Sequence, residues 1–111
     1  MAMGHAGAML FAFSISPAGM DGASDDSVGD IVAEAVRVVR ESGLPNETTS
    51  MFTTIEAETW DEAMAVIKGA VEAVQARAPR VSLVLKADIR PSHNSGQLAA
   101  KVERVERALE P

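Results

Sequence analysis

The chain has 111 residues, of which 47% are hydrophobic and 23% charged, an ordinary soluble composition for one domain long enough to enclose a core. Its net charge of −6 argues against a nucleic-acid partner, because phosphate backbones are gripped by clustered Lys and Arg. The absence of cysteine excludes disulfides, thiolate catalysis and sulfur-bound metals.

No run approaches the roughly 20 apolar residues that a membrane-spanning helix needs, so no membrane partner is expected. Residues 1–8 are small and lack the basic stretch that opens a signal peptide. They are expected to form a flexible lead, with residues 9–111 a single domain and the cytoplasm its location.

Met9–Ser16 has strand composition, with Phe11, Phe13 and Ile15 on one face and Ala12, Ser14 and Ser16 on the other. Pro17 and Gly19 are expected to stop it, and a Gly-, Ser- and Asp-rich loop follows to Asp26. An amphipathic helix comes next, its stripe made by Val28, Ile31, Val32, Ala35, Val36 and Val39. Asp26 or Ser27 suits its N-cap, and Gly43 and Pro45 its end.

Thr-rich Asn46–Glu58 reads as two strands broken near Met51–Thr53. Thr59-Trp60-Asp61-Glu62 is a helix start in which Thr59 caps and Glu62 reaches back to its amide. That helix is expected to bury Trp60, Met64, Ile67, Val71 and Val74 and to end before Pro79.

Arg80–Arg90 alternates so that Val81, Leu83, Leu85, Ala87 and Ile89 form an apolar face, expected to meet the helices. Ser82, Lys86, Asp88 and Arg90 form the other face, broken only by Val84. After a turn-rich linker, Pro91–Gly96, a last helix over Gln97–Leu109 carries a stripe of Leu98, Val102, Val105 and Leu109. Such a stripe suits packing on its own sheet and pairing with a partner helix equally well.

The order is β-α-β-β-α-β with an added C-terminal helix, an α+β chain of the ferredoxin-like kind with an antiparallel sheet and two helices on one face. The basic motif leaves the other sheet face uncovered, and the third helix, a second subunit or a ligand must cover it.

Most chemical constellations are missing. His5 and His93 have no spaced partner for a metal, no Gly-x-Ser-x-Gly elbow is present, and Gly19, Gly22 and Gly29 do not have phosphate-loop spacing. Asp21, Asp25, Asp26 and Asp30 are explained by a helix start that favours acids. What remains is the polar sheet face: Ser14, Ser16, Thr54, Glu56, Ser82, Lys86 and Asp88, with Met51 or Phe52 as an apolar wall.

Several segments, in this order and spacing, resemble the small YkoF-like thiamine-binding family. They are Ser16-Pro17-Ala18-Gly19, the helix text Ala33–Leu44, Met51 with Thr53 and Glu56, Ala78-Pro79-Arg80-Val81, Lys86–Arg90 and Lys101–Leu109. The resemblance spans about Met9 to Glu110. It implies a ferredoxin-like domain assembled as a homodimer or homotetramer that binds thiamine or its hydroxymethylpyrimidine part without catalysis. Where the family commonly reads Pro-Met-Gly-Thr, this chain reads Ser50-Met51-Phe52-Thr53, which puts a large side chain at a permissive backbone position.

The candidate ligand-binding set is therefore Ser14, Met51, Phe52, Thr53, Glu56, Lys86 and Asp88. Met51 and Phe52 give apolar contact, Ser14, Thr53 and Glu56 give polar contact, and Lys86 and Asp88 hold the face by charge pairing. Thr53 enters through the family motif, whereas strict alternation gives the polar face to Thr54, and both registers stay open. An acidic domain suits the cationic thiazolium ring of thiamine. No cofactor is expected beyond thiamine as ligand. The rival reading is an oligomeric structural or regulatory module in which Glu56, Lys86, Asp88 and Arg90 form salt bridges between chains and no ligand binds.

Overall fold

The computed structural model describes residues 8–22, 25–90 and 96–111. Residues 1–7, and with them His5 and nearly all of the expected lead, lie outside the described residues, as does most of the linker, including His93.

The elements are β1 (Ala8–Ala18), α1 (Asp25–Glu41), β2 (Asn46–Thr48), β3 (Thr53–Ala57), α2 (Trp60–Gln75), β4 (Arg80–Arg90) and α3 (Gln97–Leu109). The strands form one antiparallel sheet in the order β2-β3-β1-β4, so the fold is the expected ferredoxin-like α+β arrangement with an extra C-terminal helix.

Alternation along β1 buries Phe11, Phe13 and Ile15 on the helix side, where Ile55 stands directly opposite Phe11. Ile31, Ala35 and Val39 of α1 and Ala63, Ile67, Ala70 and Val74 of α2 close this core. Each large side chain buried there contributes about 1.5–3 kcal/mol.

β1 runs past Pro17 to Ala18, two residues beyond its expected end. The reason lies in which way the main chain points. The Glu56 N–H donates to the Pro45 carbonyl at 3.0 Å, so the even residues of β3 turn to β2 and the odd ones to β1. The partners Phe11 and Phe13, and with them Ile15 and Pro17, therefore turn their main-chain groups toward the β3 side. By Pro17 that side has no β3 left, and the missing N–H costs the β4 ladder nothing. The strand ends at Gly19, whose φ of 80° suits glycine, and an added Cβ there would sit 3.1 Å from Pro79 Cγ.

α1 begins at Asp25, so Asp26 and Ser27 lie in its first turn rather than at the cap. In α2, Thr59 Oγ1 accepts from the Glu62 N–H at 3.1 Å as expected, but Glu62 Oε1 accepts from the Glu58 N–H instead of that of Thr59. Trp60 does not enter the core: it is 49% exposed and meets Phe11 edge-on, ring centroids 5.1 Å apart. The alanines Ala63 and Ala70 take the innermost positions, and with so little side chain they let α2 pack closely.

The expectation for β4 is corrected most. Only Val81 and Ile89 pack against the core, while Leu83 and Leu85 are exposed, because the outer strand extends beyond the cover of the helices. In α3, Leu98 is half-buried but Val102, Val105 and Leu109 are exposed, so this stripe does not lie on its own sheet.

Candidate functional site

The sheet is unevenly paired. All 11 residues of β1 have partners on β4, but only Met9–Phe13 have partners on β3. Beyond the Phe13–Thr53 pair the chain has turned through Thr49–Phe52 back to β2. This leaves a notch beside β1, roofed by α1, with a volume of about 210 Å³.

Val32, Val36 and Val39 of α1 supply its apolar roof, and Phe52 and Met51 of the turn close one side. Thr48, Thr49, Ser50 and Thr53 bring hydroxyls around it. Among the described residues, no acidic, basic or histidine side chain belongs to the wall. The turn is held by Thr49, whose Oγ1 donates to the Phe52 carbonyl at 3.0 Å and accepts from the Phe52 N–H at 3.3 Å. Such a lining can stack a flat ring between apolar groups and orient it by hydrogen bonds.

Of the expected set, Ser14, Met51, Phe52 and Thr53 come together around this cavity. The pairing of Thr53 with Phe13 settles the open register: Thr53 lies on the helix side and Thr54 on the other. Alternation turns the Ser14 side chain to the far face, so Ser14 borders the cavity through its main chain.

Glu56, Lys86 and Asp88 do not join them. They stand on the opposite sheet face, as their register with Leu10 and Ala12 requires. Glu56 is buried, and its carboxylate receives the first turn of α3: Oε2 accepts from the Gly96 N–H at 2.6 Å and Oε1 from the Leu98 N–H at 2.9 Å. Gly96 has no side chain to cap the helix, so Glu56 does so from across the chain. Asp88 forms an ion pair with Lys101 of α3. That hydrogen bond, supported by the charges of Lys101, Arg90 and Lys86 and opposed by desolvation, holds the Asp88 carboxyl below its usual range.

Sequence reasoning missed Val32, Val36 and the Thr48–Ser50 hydroxyls. The signal for the valines was there, since they sit off the centre of the α1 stripe, where a residue faces a flank rather than the core. Among the described residues no group of three or more His, Asp or Glu converges to hold a metal, and no helix is long and apolar enough to cross a membrane.

Comparison with known proteins agrees with this architecture. A UPF0045 protein of Mycobacterium bovis is 55% identical over 101 residues, which cover 91% of this chain and 94% of that protein. The structure of a DUF77 domain of unknown function from Bacillus cereus matches with a TM-score of 0.70 at 28% identity, covering 86% of this chain and 89% of that one. A Thermotoga maritima structure described in terms of thiamine biosynthesis or salvage shares the fold, with a TM-score of 0.69 at 19% identity over 86% of this chain and 98% of that one. The model of a family described as thiamine-binding protein matches residues 11–106, and the chain belongs to that family.

Proposed function

We propose that this domain binds thiamine, without transforming it, by taking the pyrimidine ring into the notch between β1, α1 and the β2–β3 turn. The observation that carries this reading is the uncharged cavity itself, apolar on the α1 side and hydroxyl-rich on the turn side, in a chain of the thiamine-binding family. At about 210 Å³ the cavity is smaller than the roughly 300–1,000 Å³ of typical ligand sites, which suits one ring rather than two. The thiazolium ring then lies at the mouth, where an acidic domain favours its positive charge. Met51, Phe52 and Thr53 contact the ring by side chain and Ser14 by main chain, while Glu56 and Asp88 support the fold behind the site by holding α3, and Lys86 stays exposed on that far face.

Self-association belongs to the same proposal. β4 is an outer strand of 11 residues with Leu83, Val84 and Leu85 exposed, and such an edge is a template for a second strand. A second copy of this chain supplies one of equal length, giving a homodimer, and the exposed stripe of α3 offers a second contact for a tetramer. Two of the charges that would bridge subunits in a ligand-free module are engaged within the chain, Glu56 on α3 and Asp88 on Lys101.

Titration calorimetry with thiamine and with its free hydroxymethylpyrimidine tests the reading. Both are expected to bind tighter than millimolar, and Val36→Phe, which fills the cavity, to weaken both at least tenfold. No heat from either compound overturns it.

A further inference from the structure

The notch exposes a piece of unpaired strand, and this has chemical content. Phe13 and Thr53 face each other at the last step of the β1–β3 ladder, with their main-chain groups turned toward one another. Two residues on, Ile15 turns its N–H and C=O to the same side, since the β4 ladder uses the main-chain groups of Ser14 and Ser16. Continuation of the ladder would set Met51 opposite Ile15. Instead Met51 sits in the turn, 73% exposed, and no described residue of β3 pairs there. Pro17, the next residue along this edge, has no N–H at all. One donor and its neighbouring acceptors thus border a cavity whose walls are otherwise apolar groups and hydroxyls.

A main-chain N–H beside a C=O matches any flat heterocycle that carries a ring nitrogen acceptor next to an exocyclic amino donor. We infer that the Ile15 main chain is the specificity element of the site: it pairs with the amino edge of an aminopyrimidine as a β-strand would, with the ring standing in for the missing third strand residue. This inference rests on the ligand reading above and adds the atoms that recognise the ring. It accounts for a binding site whose described wall residues carry no charged side chain, because strand pairing supplies direction without charge. It also implies selectivity for the amino group, since a site built to pair a donor and an acceptor rejects an analogue lacking one of them.

The test needs no substitution in the core. Amide hydrogen exchange is followed by NMR in the free protein and at saturation with 4-amino-5-hydroxymethyl-2-methylpyrimidine. The Ile15 amide is expected to exchange at least tenfold faster than that of Phe13 in the free protein and to slow at least tenfold on binding. The analogue without the 4-amino group is expected to bind at least tenfold more weakly. An Ile15 amide unmoved at saturation, or equal affinity for the two pyrimidines, overturns this inference and leaves the ligand reading standing. Failure of the aminopyrimidine to bind at all overturns both.

Discussion

Glu56 and Gly96, 40 residues apart in sequence, are joined by a 2.6 Å hydrogen bond in which the Gly96 N–H donates to Glu56 Oε2. The second carboxylate oxygen takes the Leu98 N–H, so one buried side chain satisfies two of the donors that the start of α3 leaves open. Hydrogen bonds to charged groups contribute about 1.5–3 kcal/mol each. Glu56→Ala is therefore expected to lower stability by about 3 kcal/mol in urea titration and to raise amide exchange throughout α3. Thiamine affinity is expected to change less than threefold, because the cavity lies across the sheet. A large loss of affinity with α3 still protected would return Glu56 to the ligand site.

The Asp88–Lys101 pair gives a pH signature. The folded state holds the Asp88 carboxyl below its ordinary value, chiefly through the Lys101 hydrogen bond. A carboxyl depressed on folding adds stability above its unfolded value, near 4, and that contribution fades as the pH falls through the folded value. Urea midpoints of the native chain are thus expected to fall between about pH 5 and pH 2 more steeply than those of Asp88→Asn. Parallel curves would show that the pair contributes nothing.

On β4, Val84→Asp places a charge on an exposed residue of the outer strand. Light scattering after size exclusion is expected to show the native chain as a dimer or tetramer and the variant as a smaller species. Its secondary structure by circular dichroism should be unchanged, since Val84 is 54% exposed and touches no core. A monomeric native chain at 100 μM would remove self-association from the proposal.

Phe52 tests the turn. Phe52 is half-buried and borders the cavity, and its truncation to Ala is expected to remove apolar contact worth about 1.4 kcal/mol, which corresponds to a tenfold weaker complex with thiamine. Tighter binding by Phe52→Ala in calorimetry would instead mean that the ring obstructs the site.

Much of the fold was legible because it is written in periodicity. The period-2 faces of β1 and the stripe of α1 needed no partner to be read, and Thr59, Gly43 and the break around Met51–Thr53 are local chemistry. The extent of β1 was less legible, since whether Pro17 ends a strand depends on which neighbour its missing N–H would have faced. The apolar face of β4 shows its alternation but not its place at the sheet edge, where Leu83 and Leu85 have little above them. The site divided along the same line. Met51, Phe52 and Thr53 are neighbours in sequence and stay together, whereas Glu56 is separated from them by a parity that only the register between strands determines. Nothing local to Glu56 announces that it caps a helix whose N-cap residue, Gly96, lies 40 residues later.

The difference between 11 residues of β1 and the five that β3 covers makes the cavity a matter of hairpin length rather than of wall chemistry. Two more residues on each arm of the β2–β3 hairpin would give Ile15 a strand partner and zip the notch shut, and two fewer would lengthen it toward Phe11. Capacity and selectivity can thus be retuned at a solvent-facing turn while Phe11, Ile55 and the helices keep their packing, so the part of the molecule that sets what fits is separable from the part that keeps it folded.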